Sequence, residues 1–322
     1  MGWWKVGADT LAASRFVISP LAEATASLMT LERGTAGNPA VRAWWGEHRP
    51  AYRKRLAADP ITALTLRAAL GRGWIADFLT PAPRDESSFA AELAPLRETA
   101  PATARADLEV ALGGPLPARL DRSDPAPRLA DLLDWVWRET VLPDWPRRRR
   151  ILEADILARS ARLGQGGWLA ALDGLRPGLR WLGDGRLQIN AHNYPPQDIS
   201  TAQLLFVPVT PSRGWVSWSQ PHRYAVTYPC AGGLAELGGG TQVPAPLAAL
   251  IGPGRARILL LLSSPKSTTQ LVALTGLGLG SVGRHLQTLL AAGLVRRRRA
   301  GRSVLYSRTH PGDVLVSAPP NS

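Results

Sequence analysis

Arg284 and Gln287 stand three positions apart in the segment GSVGRHLQTLLAAGLV, and both side chains carry donors suited to base edges. A guanidinium pairs bidentately with guanine, and a primary amide pairs with adenine. At about 100° per residue the segment reads as a helix with Val282, Leu286, Leu289 and Leu290 on one apolar arc. Ser281, Arg284, Gln287 and Thr288 fall on the opposite arc, where a groove of DNA would meet them. His285 lies on the flank, as a half-buried packing residue or a phosphate contact.

Gly293 stops that helix, and the run Arg296–Arg299 follows before a β-prone SVLY. A hairpin folding back at Ala300–Gly301 would set Arg299 opposite Arg302, and like charges directly opposite destabilise a strand pair. A phosphate backbone beside the hairpin would turn this repulsion into counterion-releasing contacts, which makes Arg297, Arg298, Arg299 and Arg302 candidate phosphate ligands on a wing. A solvated basic loop is the alternative.

The distribution of charge favours the first reading. The chain carries 38 basic and 25 acidic residues, a net charge of +13, and its three lysines against many arginines point to compositional bias. Bias alone would spread the excess. From Leu247 onward there are ten basic residues and a single acid, Asp313, so +9 of the +13 falls in the last 76 residues.

Other chemistries find less support. GLGSVG (278–283) matches the dinucleotide fingerprint, but the segment before it reads as helix and basic residues stand where the acid should be. There is no H-E-x-x-H, P-loop or G-x-S-x-G motif. Cys230 is the only cysteine, which excludes an intramolecular disulfide and a cysteine-rich zinc site. His192, His222 and Cys230 have no spacing that argues for a nucleophile pair, and His310 with Asp313 is too few for a tetrahedral metal site. No cofactor or metal is expected. Trp215, Trp218, Tyr224 and Tyr228 line an apolar pocket or, in preference, form cross-strand packing pairs. The opening MGWWKVGADTLAASRF lacks a basic segment followed by an apolar run, so no signal peptide is expected. The apolar runs are too short to span a membrane, and a cytoplasmic protein follows.

The elements that position these residues predict an α+β protein: a mostly helical N-terminal region, a small antiparallel β-rich segment and a C-terminal winged helix-turn-helix. Residues 1–180 read mostly as helices. Examples are SPLAEATASLMTLERG, with Ser19 as cap, Pro20 in the first turn and Gly34 as stop, and RLADLLDWVWRETVL, with an apolar stripe from Leu129 to Trp137. Arg147–Arg150 read as a solvated helix face. Residues 181–230 hold the β segment, with a turn at Gly183–Asp184–Gly185. Residues 231–246 form a Gly/Pro-rich linker, 247–312 the DNA-binding domain and 313–322 a flexible tail. Within the domain, helices are expected at about Arg255–Leu262, from STTQLVAL, where Ser267 or Thr268 can cap and Gln270 can complete a capping box, and at about Ser281–Ala292.

In this order, GPGRARILLLL, STTQLVALTGLGLGSVGRHLQTLLAAGLV and RRRRAGRSVLYSR resemble the winged helix-turn-helix of the ArsR/SmtB-like bacterial repressors, over about 60 residues. The resemblance implies sequence-specific binding of duplex DNA, as a dimer and as a repressor. It maps Ser281, Gly283, Arg284, His285 and Gln287 to the DNA-reading helix, and Arg297–Arg299 with Arg302 to the wing. ADTLAASRFVISPLAEATASLMTL is similar to the start of an actinobacterial-type subgroup with an uncharacterised helical domain ahead of an ArsR-like C-terminus. Two features depart from the family. The helix STTQLVALTG has no Cys or His, where metal-sensing members carry a cysteine pair. The chain also ends soon after the wing, so a dimer is expected to use the N-terminal region or the first helix of the module.

The expected function is a double-stranded DNA-binding transcriptional regulator, a repressor and homodimer, with a small-molecule effector as a further candidate partner and no membrane association. It is not expected to be an enzyme. The alternatives are a winged-helix docking module for protein partners and, behind it, an enzyme in the β-rich part with a DNA-targeting tail.

Overall fold

The computed structural model describes residues 2–34, 39–84, 87–121, 124–190, 194–230, 243–262, 265–300 and 303–317. The fold is α+β, and the chain divides into two compact units: Met1–Pro146 with Leu172–Leu234, and Arg147–Ala171 with Ala235–Ser322. Among the described residues no helix is long and apolar enough to cross a membrane.

The first unit centres on helix α2 (Pro20–Arg33), which follows a short helix α1 (Ala8–Ala13) and is buried from Pro20 through Leu31. Its start is the one that local chemistry predicts. Ser19 Oγ accepts from the Ala22 N–H at 3.0 Å, Pro20 occupies the first turn, and Gly34 ends the helix at φ 75°. Around α2 pack α3 (Pro39–Ala58), α5 (Phe89–Arg97) and α7 (Pro125–Val136), while α4 (Pro60–Ala69) and α6 (Pro101–Leu112) complete the helical layer against α7. The expected stripe of α7 is the core face: Leu129, Leu132, Leu133 and Val136 are all buried.

The strands of this unit form two four-stranded sheets. In one, β3 (Arg180–Gly183) and β4 (Arg186–Gln188) make the expected hairpin. Its turn residues Asp184 and Gly185 have φ 50° and 70°, the left-handed pair that an Asp-Gly turn supplies. The other edge of β4 takes β1 (Trp3–Lys5), antiparallel, and β1 takes β5 (Gln197–Asp198), parallel. In the second sheet the order is β2 (Arg15–Phe16), β6 (Gln203–Val209), β8 (Arg223–Pro229), β7 (Trp215–Ser219). β7 and β8 are antiparallel as expected, but β6 pairs parallel with both β2 and β8. The near-continuous burial of β6 and β8 fits strands covered on both faces. β1 and β2, in a region read as helical, are too short to show a strand period.

The aromatic residues mostly pack, as preferred from sequence. Trp218 stands directly across from Tyr224, Tyr224 meets Trp4 with centroids 5.2 Å apart, and Tyr228 meets Phe16 at 6.4 Å. Cys230 is buried and His222 exposed, while His192 lies outside the described residues.

Helix α8 (Trp145–Leu172) carries the second arginine run and is broken at Gly166 and Gly167. Arg149 and Arg150 are exposed, and Arg149 pairs with Glu153 at 2.9 Å, as a solvated face would. Arg148, by contrast, is fully buried.

The C-terminal segment of the second unit opens with α9 (Ala245–Ile251); most of the expected linker, 231–242, lies outside the described residues. There follow α10 (Pro253–Leu261), β9 (Lys266–Ser267), α11 (Thr268–Thr275), α12 (Leu279–Ala291), β10 (Val295–Ala300) and β11 (Ser303–Arg308). Residues 313–317, read from sequence as part of a tail, belong to a last helix α13 (His310–Ser317). Thr309 organises its start: the Thr309 Oγ1 donates to Gly293 O at 2.6 Å and accepts from the Gly312 N–H at 3.3 Å. Arg308 and Asp313 close the turn as an ion pair at 2.8 Å.

Candidate nucleic-acid interface

Helices α10, α11 and α12 pack on one another, and their apolar faces supply the core: Ile258, Leu259, Leu271, Val282, Leu286 and Leu289 are all buried. Local chemistry fixes each boundary. At α11 the Ser267 Oγ accepts from the Gln270 N–H at 3.2 Å while Gln270 Oε1 accepts from the Ser267 N–H at 2.8 Å, a complete capping box. Gly276, at φ 71°, ends α11 and opens the turn. At the far end of α12 the Gly293 N–H donates to Leu290 O and the Leu294 N–H to Leu289 O, both at 3.0 Å, with Gly293 at φ 67°. This paired termination turns the chain straight into β10.

The angular reading of α12 is realised. Val282, Leu286 and Leu289 are buried, and Arg284, Gln287 and Thr288 are exposed. Ser281 and Gly283 are half-buried. The Arg284 Nη2 lies 3.4 Å from Ser281 Oγ, and the Thr288 hydroxyl donates back to Arg284 O at 3.1 Å. His285 turns another way: a Cβ added to Gly254 of α10 would lie 2.7 Å from its Nε2, so the ring rests against α10.

Sequence reasoning passed over the backbone at the start of α12. Gly278 caps this helix without a side-chain hydrogen bond, and Cβ atoms added at Gly276, Gly278, Gly280 or Gly283 would meet nothing within 4 Å. First-turn N–H groups free of a side-chain cap, beside glycines that present no side chain, can approach a phosphate closely. The alternation GLGLG carried that signal.

β10, β11 and β9 form a three-stranded antiparallel sheet with β11 in the middle. Here one expectation is overturned. Arg299 does not face Arg302; the register pairs Arg296 with Ser307, Arg297 with Tyr306, Arg298 with Leu305, Arg299 with Val304 and Ala300 with Ser303. The last pair before the turn is therefore Ala300 with Ser303, one residue further along than read. Each arginine thus faces an uncharged residue, and successive ones point to opposite sides of the strand. All four are exposed, on an edge strand where charge also discourages unwanted pairing. Arg302 lies outside the described residues.

Not every basic group of the segment faces outward. Arg255 bonds to Ile251 O, Arg257 Nη2 lies 3.3 Å from Leu274 O, Arg308 pairs with Asp313, and Lys266 is buried. The charge excess therefore combines structural cations with an exposed set, Arg284 and Arg296–Arg299.

Two helices across a tight turn, with the second presenting polar side chains and a basic hairpin after it, define a winged helix-turn-helix, the DNA-binding domain of transcription regulators. Residues 252–297 match the family model for bacterial regulatory protein, arsR family, which covers α10, α11, α12 and the start of the wing. No curated protein and no solved structure matches the chain.

Proposed function

We propose that the protein is a cytoplasmic, sequence-specific repressor that binds duplex DNA as a homodimer, with the first unit serving dimerisation or effector sensing. Arg284 and Gln287 read base edges, Ser281 and Thr288 assist them, and Gly283 allows close approach. His285, held against α10, contacts phosphate from the flank. Arg297, Arg298, Arg299 and Arg302 grip the backbone from the wing. The DNA-binding part begins at about residue 247 and runs past the expected limit of 312 to the end of α13 at Ser317. One observation carries the reading: α12 is divided between a buried apolar face and an exposed face bearing Arg284, Gln287 and Thr288, with exposed arginines one turn of chain away.

Selection of bound fragments from a random duplex library, with full-length protein and competitor DNA near physiological salt, tests it. Recovery of a palindromic motif is expected for a symmetric dimer. Recovery of no motif, with binding that disappears as salt rises, would leave only non-specific charge attraction and favour a docking module for acidic protein partners.

A further inference from the structure

Three aromatic rings of the first unit meet although their residues are far apart in sequence. Trp74, Tyr194 and Trp218 have centroids separated by 5.2 Å (Trp74–Tyr194), 5.4 Å (Trp74–Trp218) and 5.7 Å (Tyr194–Trp218). All three are half-exposed, so they do not simply fill a core.

Carboxylates lie beside them. The Trp74 indole N–H donates to Asp77 Oδ1 at 3.1 Å, and the Trp218 indole bonds to the same carboxylate. Asp107, whose Oδ2 accepts from the Phe78 N–H at 2.8 Å, is near enough to act on Asp77 as a like charge. Burial and this neighbour push the Asp77 carboxyl up to about 6, and burial raises Asp107 as well. Among the described residues no Lys or Arg acts on either group. On the Tyr194 side, Gln197 Nε2 donates to the phenol oxygen at 3.1 Å, leaving the Gln197 Oε1 buried without a donor.

The cluster is therefore rich in acceptors and short of positive charge. Aromatic faces are themselves electron-rich, so three of them beside two carboxylates concentrate negative potential at a half-exposed place. An anion is repelled there. A neutral apolar molecule would cover the carboxylates without pairing them, at a cost. Magnesium or calcium requires six or more oxygen ligands, and aromatic walls supply none. A cation with a carbon skeleton satisfies both parts: its alkyl groups lie on the rings, and its charged N–H groups pair with carboxylates whose present donors, two indoles and a backbone N–H, are all neutral.

We infer that Trp74, Tyr194, Trp218, Asp77 and Asp107 form a binding site for an organic ammonium cation. The site stands apart from the DNA reading, because binding is measured without DNA.

The test is calorimetric titration of the full-length protein at about pH 8 with n-butylammonium chloride, and in parallel with sodium butyrate. Saturable binding of butylammonium alone is expected. The isosteric Asp77→Asn variant should weaken it about tenfold or more, and Trp218→Ala by a similar factor. Asp77→Asn keeps the side-chain shape, so it remains informative should Trp218→Ala fail to fold. No saturable heat up to about 10 mM butylammonium, equal binding of butyrate, or unchanged affinity in folded Asp77→Asn would each overturn the proposal.

Discussion

Arg299 stands opposite Val304 across the C-terminal hairpin, so four consecutive arginines occupy one strand without any of them facing a second arginine. This resolves the electrostatic difficulty of the run inside the fold. The remaining repulsion between neighbours along the strand is what a phosphate backbone would relieve.

Arg298 tests the wing. Replacement by alanine should weaken binding to all duplexes alike and lower the slope of log affinity against log salt by about one. Titrations at several salt concentrations, on specific and unrelated duplexes, measure this. Loss confined to one base position would reassign Arg298 to base readout.

Arg284 should behave in the opposite way. Arg284→Ala is expected to cost roughly 1–3 kcal/mol at one base pair and to relax preference there, leaving other positions as selective as before. Competition against single-base variants of the selected site gives the answer. Uniform weakening would show that Arg284 grips phosphate.

Ser267 closes the capping box that starts α11. Ser267→Ala should destabilise that helix by about 1 kcal/mol. Hydrogen exchange at residues 268–275 should accelerate, and affinity for DNA should fall only through the population of folded domain. Unaltered exchange there would mean that packing against α10 and α12, rather than the cap, sets the helix's stability.

Gly312 touches the loop before the wing so closely that an added Cβ would lie 2.1 Å from Leu294 O. A backbone oxygen cannot swing aside as a side chain does. Gly312→Ala should therefore cost about 1–3 kcal/mol and loosen α13 from the domain. Faster hydrogen exchange over residues 310–317 is the expected readout; native-like protection would place the backbone elsewhere.

Glu92 makes stability depend on pH. Its Oε2 accepts from the Ser19 hydroxyl and the Leu21 N–H, both at 2.8 Å, at the buried start of α2. Burial nevertheless raises its carboxyl from 4.5 to about 7. A raised carboxyl favours folding while protonated, so its contribution is complete below 4.5 and lost as pH rises through about 7. Stability of the first unit should decline over that window, and Glu92→Gln should remove up to about 3 kcal/mol of the decline. Denaturation series at several pH values compare the two, and parallel curves would refute the assignment.

The C-terminal module was legible from the chain because its signals are local. Ser267 and Gln270 are three residues apart, Gly293 follows the last apolar position of α12, and a period of 3.6 separates Val282, Leu286 and Leu289 from Arg284 and Gln287. Caps and helical periods act within one or two turns, so neighbouring residues suffice to reveal them. His285 was legible only as a flank residue; its place against Gly254 depends on how two helices pack.

Tertiary structure alone decided the rest. The one-residue difference in hairpin register, which gives Arg299 a valine instead of an arginine, follows from where the loop closes. The parallel pairing of β6 with β8, and the recruitment of Trp3–Lys5 and Arg15–Phe16 as strands, join segments up to about two hundred residues apart. Trp74, Tyr194 and Trp218 meet for the same reason. Strand pairing and ring packing are satisfied between distant segments only once the chain has collapsed, and no local pattern names the partner.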